Sequence, residues 1–216
     1  KKIIQYMMGW GLLLLGWLQV FSVGAWIGSS FYFVWLDLSL RKRDGMPKGA
    51  HGESWSVHGG GFYHVQKYLV APERMPQELH WFKHESYFTW LSGFALLMVT
   101  YWYGAQSYLI DPAVAELSVA SAIAISAASL VVGWVFFDQL CKSKLGENLW
   151  LLGGIIFVFL MIAGWAYSEV FSGRAALLHV GAMIATWMTG NVFFIIIPNQ
   201  KKVVATLKAG GTPDAI

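Results

Sequence analysis

Apolar residues along the chain gather into long windows separated by short polar breaks. A bilayer core takes about 20 apolar residues as a helix rising roughly 1.5 Å each. Five windows reach that length: 7–36, 87–110, 113–140, 149–170 and 175–197. The pattern predicts an all-α fold, a polytopic membrane bundle of five transmembrane helices. The first window is long enough to tilt or to project past the lipid. Its apolar run is about twice that of a signal peptide and has no small-residue cleavage site, so it is read as a span. Gly24 and Gly28 stand in it at a spacing that lets another helix approach the backbone closely, or they are simple packing filler.

Composition agrees with this pattern. Hydrophobic residues make up 56% of the 216 and charged residues 12%, which does not describe a soluble surface. Mean hydropathy is +0.52. The 12 Trp, 9 Tyr and 14 Phe suit a chain that crosses the membrane interface many times. Disorder, nucleic-acid binding and a disulfide scaffold are excluded. The single Cys141 cannot form an internal disulfide, an iron–sulfur cluster or a thioether haem motif, each of which needs a second Cys. A redox centre in this chain has to be held by His or Met.

The formal charge of +3 matters less than where the cations lie. One side of the membrane holds Arg41, Lys42, Arg43, Lys48, Lys67, Arg74, Lys83, Lys142, Lys144, Lys201, Lys202 and Lys208; the other holds Lys1, Lys2 and Arg174. Positive residues stay on the cytoplasmic side. The bias predicts an N-terminus outside, with the 41–83 loop and the C-terminus inside.

Asp111 with Pro112 and Gly173 with Arg174 are read as tight outer turns between antiparallel spans. The 41–83 loop is far longer than a helical hairpin needs, and loops of that length are usually functional or disordered. Trp55, Phe62, Tyr63, Tyr68, Trp81 and Phe82 are too many aromatics for a disordered linker. This loop is expected to fold against the inner helix ends.

His51, His58, His64, His80 and His84 all lie in or beside this loop. His58 and His64 bracket Gly59, Gly60 and Gly61, which permit positive φ and close backbone approach to a ligand. The run fits either a ligand or cofactor site or a tight turn whose histidines satisfy local hydrogen bonds. It matches no phosphate-binding pattern. His80 and His84, four residues apart, would share one face of a helix beginning near Pro76. Their setting lacks the Glu that follows the first His of the zinc-protease motif. Glu85 opens the second span.

His179 is different, because it lies inside the fifth window, where ionisable groups are costly. It reads either as an axial haem ligand, with Gly181, Ala182 and Ala185 leaving room for a macrocycle, or as an interhelical hydrogen bond to Glu169 or Ser168. Gln19, Thr186, Thr189 and Asn191 read as interhelical hydrogen bonds.

A family resemblance emerges from specific blocks. They are Gly59 Gly60 Gly61 Phe62 Tyr63 His64 Val65, Lys67 Tyr68, Val70 Ala71 Pro72, Leu79 His80 Trp81 Phe82 Lys83, Glu85, and Thr89 Trp90 Leu91 Ser92 Gly93. His179 Val180 Gly181 Ala182 Met183, Asn191 Val192 Phe193 Phe194, and Ile197 Pro198 Asn199 Gln200 continue it. Over nearly its whole length the chain resembles the N-terminal membrane domain of the bacterial membrane-bound, cytochrome-linked urate oxidases. The resemblance implies further spans and a cytochrome c domain carrying haem c, neither of which is in this sequence. The chain is therefore expected to be a fragment or a shortened relative.

On that resemblance the chain is expected to oxidise urate on the inner side of a bacterial inner membrane and to pass electrons toward cytochrome c through haem b. Catalysis is assigned to His58, His64 and Glu85. The substrate loop is Gly59, Gly60, Gly61, Tyr63 and Lys67, and cofactor binding falls to His179, His84 and His80. The competing expectation is a non-catalytic helical subunit of a respiratory or photosynthetic complex. A transporter is a weaker third reading, since no inverted repeat or broken helix is evident.

Overall fold

The computed structural model describes residues 2–72 and 75–211. Lys1 and Arg74, both counted in the charge balance, lie outside them. Helix α1 runs Lys2–Ser39, and a hairpin of β1 (Ala50–His58) and β2 (Gly61–Tyr68) follows. Then come α2 (His84–Leu97), a π-helical segment (Met98–Tyr103), α3 (Ala105–Tyr108), α4 (Val119–Lys142) and α5 (Leu149–Ser168). The chain continues through α6 (Gly173–Gly190), a second π-helical segment (Asn191–Ile196) and α7 (Ile197–Lys208). The protein is mostly helical, but the hairpin corrects the all-α expectation.

Among the described residues four helices are long and apolar enough to cross a membrane: Tyr6–Ser39, Val119–Lys142, Leu149–Ser168 and Gly173–Lys208. The predicted span 87–110 falls on α2, the first π segment and α3, and is not among them. Glycine ends the π segment there: Gly104 has φ −90° and ψ 28°, outside helical geometry.

The outer connections differ from the predicted tight turns. Residues 109–118 form a longer irregular link, because α4 begins only where Ser118 caps it by accepting from Ser121 N–H at 3.1 Å. The α5–α6 turn lies at 169–172, with Gly173 and Arg174 already helical. This turn is tied to the end of α3, since Ser172 N–H donates to the Leu109 carbonyl at 2.9 Å and Ser172 Oγ–H to the Tyr108 carbonyl at 2.6 Å.

α1 packs chiefly along α2. Its half-buried or buried positions include Met8, Leu12, Leu15, Gln19, Ser22, Trp26 and Ser29, at alternating steps of three and four residues, with Gly16, Val23, Leu36 and Ser39 beside them. Gly24 and Gly28 are exposed on the same helix, and a Cβ at either meets nothing within 4 Å.

The remaining helices form one packed group. Ser126 and Phe137 of α4 face His179 and Trp187 of α6 in the same order, so these helices run parallel. α5 runs antiparallel to both, with Tyr167 near His179 and Phe159 near Trp187. Gly133 makes the α4–α6 approach possible: a Cβ there would stand 3.0 Å from the Met183 side chain. Deeply buried residues gather where α3, the start of α4 and the α5–α6 turn meet, around Ala105, Leu109, Ala122, Phe171 and Ala175, none more than 1% exposed.

Candidate functional site

The hairpin follows from its sequence. In Glu53-Ser54-Trp55-Ser56-Val57, large and small polar residues alternate at the period of a strand, and two glycines at positive φ (57° for Gly59, 78° for Gly60) turn the chain. The register sets Trp55 opposite His64 and Val57 opposite Phe62. The hairpin is pinned below α1 by Lys67 Nζ–H donating to Asp37 Oδ1 at 2.6 Å, by the Ser39–Ser54 hydroxyl pair at 2.8 Å, and by an antiparallel bridge of Arg41 to Glu53.

On one hairpin face, His64 stacks on Trp55 with ring centroids 4.1 Å apart and planes 11° apart. His64 Nε2–H donates to Glu53 Oε2 at 2.8 Å, Trp55 Nε1–H reaches Oε1 at 3.4 Å, and Arg43 Nε lies 3.6 Å from Oε1. The His64 hydrogen bond holds the Glu53 carboxyl below its ordinary range, against the opposing effect of burial. With Nε2 donating, Nδ1 is the ring's open lone pair. A carboxylate that fixes one imidazole nitrogen and leaves the other without a protein partner is the arrangement of an oriented general base.

The other predicted site residues are scattered. His58 pairs with Gly61 beside the turn, on the hairpin face opposite His64, so the structure does not bring these two together. Gly59 and Gly60 make the turn, Tyr63 is exposed opposite Ser56, and Lys67 is engaged with Asp37. The shared helical face predicted for His80 and His84 is corrected: α2 starts at His84, and no helix begins at Pro76. Phe82 meets Phe33 of α1 edge-on at 4.8 Å, and residues 82–83 form a turn just before α2. Both histidines are exposed. Glu85 is half-buried, its Oε2 shut from solvent with no partner among the described residues. Among those residues no group of three or more His, Cys, Asp or Glu is placed to hold a metal ion.

His179 is fully buried, and hydrogen bonds engage both of its ring nitrogens. Nδ1 lies 2.7 Å from the Ala175 carbonyl, which can only accept, so the proton is on Nδ1. In the neutral ring Nε2 then accepts from Ser126 Oγ–H at 2.7 Å, and Ser126 Oγ accepts from Trp102 Nε1–H at 2.8 Å. Tyr167 and Phe171 close around the imidazole, with centroids 5.4 and 4.8 Å away. A haem iron needs the lone pair that Ser126 occupies and a flat space that these rings fill. The residues present do not fit a haem at His179. The interhelical bond is made with Ser126 of α4, not with Glu169 or Ser168.

A model of the family described as urate oxidase N-terminal matches residues 5–216. The chain belongs to the urate oxidase N-terminal family. No curated protein and no solved structure matches it.

In this urate oxidase N-terminal chain the residues that sequence reasoning missed are Glu53 and Trp55, which complete the His64 cluster, and Trp102, Ser126 and Tyr167 around His179. Alternation across 53–57 was the available signal for the first pair. For the second group the signal was Ser126 and Ser129 in the middle of the window 113–140, between the apolar runs 122–125 and 130–137. Tyr167 O–H donates to Ser129 Oγ at 2.8 Å, which ties α5 to α4.

Proposed function

We propose that this chain is the membrane module of a urate-oxidising redox system, in which Glu53 and His64 accept a proton from a planar anionic purine held at the hairpin. The observation that carries this reading is the 2.8 Å Glu53–His64 hydrogen bond, set on an extramembrane hairpin of a urate oxidase N-terminal chain. Oxidation of urate releases protons with electrons, so a base oriented by a carboxylate suits that chemistry. Trp55 and Phe62 offer apolar surface to a flat ring, and the cations of 41–48 suit its negative charge. The excess of Lys and Arg on the hairpin side supports a cytoplasmic location for the site in a bacterial inner membrane, with the N-terminus outside. Electrons would leave toward cytochrome c. No step is routed through haem at His179, whose acceptor nitrogen is occupied.

Urate-dependent reduction of cytochrome c by the chain in native membranes tests this proposal. His64→Gln and Glu53→Gln are each expected to lower the rate by about 100-fold or more, the usual contribution of a positioned acid–base group. Unchanged rates in both variants would remove the hairpin from catalysis. A second reading, a non-catalytic helical subunit of a respiratory or photosynthetic complex, is favoured by the closed hydrogen-bond network of His179. It predicts no urate-dependent signal and co-purification in fixed ratio with a larger assembly.

A further inference from the structure

A cleft of about 560 Å³ lies between α1, α2 and α6 within the apolar region, away from the hairpin. Its lining is mixed, in contrast to the neighbouring groove along Trp134 and Phe194, which is almost wholly apolar. One wall is made of small residues, Gly181, Ala182 and Ala185, facing Trp90 and Phe94. Trp90 and Phe94 are stacked, with centroids 4.8 Å apart and planes 8° apart. A Cβ added at Gly181 meets nothing within 4 Å.

Three side chains with hydrogen-bond donors line this cleft: Tyr101, Thr100 and Gln19. Tyr101 is 5% exposed and lines it, yet among the described residues its hydroxyl has no hydrogen-bond partner. Thr100, a second hydroxyl residue, also lines it. Gln19 takes a hydrogen bond from Ser92 Oγ at 2.6 Å through Oε1, leaving its Nε2 free. Thr100 and Tyr101 sit in the first π segment, an irregularity frequent at functional sites. In hydrocarbon no water satisfies such groups, and an unmade hydrogen bond is costly there.

We infer that the cleft binds a lipid-soluble molecule with a flat, carbonyl-bearing ring, the quinone class, with a ring carbonyl accepting from Tyr101. Flat small-residue and aromatic walls admit a planar ring, and the open groups are donors that match carbonyl oxygens. A lipid acyl chain would fill the volume but offer these donors no acceptor. This site stands independently of the hairpin reading.

The test is partition-corrected titration of decylubiquinone and menadione into the full chain in lipid nanodiscs, with infrared detection of the ring carbonyl stretch. The wild type is expected to bind one of them saturably with a downshifted carbonyl band. Tyr101→Phe should weaken binding about three- to tenfold and reverse part of the shift, as expected for one lost hydrogen bond. Gly181→Leu, which has room to fold, should abolish saturable binding with the melting temperature retained. Absence of saturable binding in the wild type, or equal binding by all three proteins, overturns the inference. So does a wild type that binds neither probe but forms an oligomer that Gly181→Leu dissociates, which would assign the cleft to a protein partner.

Discussion

Ser126 Oγ stands 2.7 Å from His179 Nε2, with both residues fully shut from solvent. The relay has one direction throughout: Trp102 N–H to Ser126, Ser126 O–H to His179, and His179 Nδ1–H to the Ala175 carbonyl. It joins the first π segment, α4 and α6 at their common contact. Interhelical hydrogen bonds of this kind are a main adhesive where the hydrophobic effect does not separate helix from lipid.

Ser126→Ala is therefore expected to destabilise the bundle by about 1–3 kcal/mol, because it strands both Trp102 N–H and His179 Nε2. Denaturant titration in mixed micelles measures this. A loss no larger than that of an exposed serine such as Ser30 would mean that the relay contributes little.

Glycines at two places should respond oppositely to alanine. The Trp134 indole packs onto Gly190 where a Cβ would stand, so Gly190→Ala must displace a large ring and should cost about 1–3 kcal/mol. Gly24→Ala and Gly28→Ala meet open space and should be neutral or stabilising by up to about 1 kcal/mol through helix propensity. Thermal unfolding of the three variants decides; destabilisation at Gly24 or Gly28 would reveal a helix seated on that face.

The hairpin should loosen independently of the bundle. Lys67 and Asp37 have side chains 40% and 53% exposed, so Lys67→Ala should change global stability by less than about 1 kcal/mol. Limited proteolysis within 50–68 should nevertheless accelerate, because this pair fastens β2 to α1. Unaltered cleavage would transfer that role to the Ser39–Ser54 pair and the Arg41–Glu53 bridge.

Hairpin protection should depend on pH through Glu53. Its folded pKa is depressed, chiefly by the His64 hydrogen bond, so the carboxylate's contribution is fully present above the ordinary carboxylate range. As pH falls through the depressed value the contribution is lost. Hydrogen exchange of the β1 and β2 amides, corrected for intrinsic rates, should show protection falling in that acid window. Glu53→Gln should flatten the profile, and an equally steep profile in that variant would exclude Glu53 as its source.

Four of the five windows were legible as long apolar helices, since 20 or so consecutive apolar residues leave the backbone no other way to satisfy itself in lipid. The window 87–110 was not resolved so simply. Its continuous helical part, His84–Tyr103, is long enough to span but is interrupted by Ser86, Thr89, Ser92 and Thr100 and is less apolar than the other four, while the π segment and the break at Gly104 carry no local sequence signal of their own. The loop's aromatics pointed to folded structure, and the Gly59–Gly60 turn with alternation on either side specified a hairpin locally.

What the sequence determined by itself is thus local or additive: apolar length, charge distribution, turn chemistry and the motif blocks of the urate oxidase N-terminal family. Tertiary structure alone decided which polar side chains meet. His179 is 53 residues from Ser126, and Trp90 donates to Thr186 across 96 residues. His58 and His64, close in sequence, are parted because a strand sends successive residues to opposite faces. Register and helix packing fix such pairings, and both arise from contacts among distant segments that no single window of sequence contains.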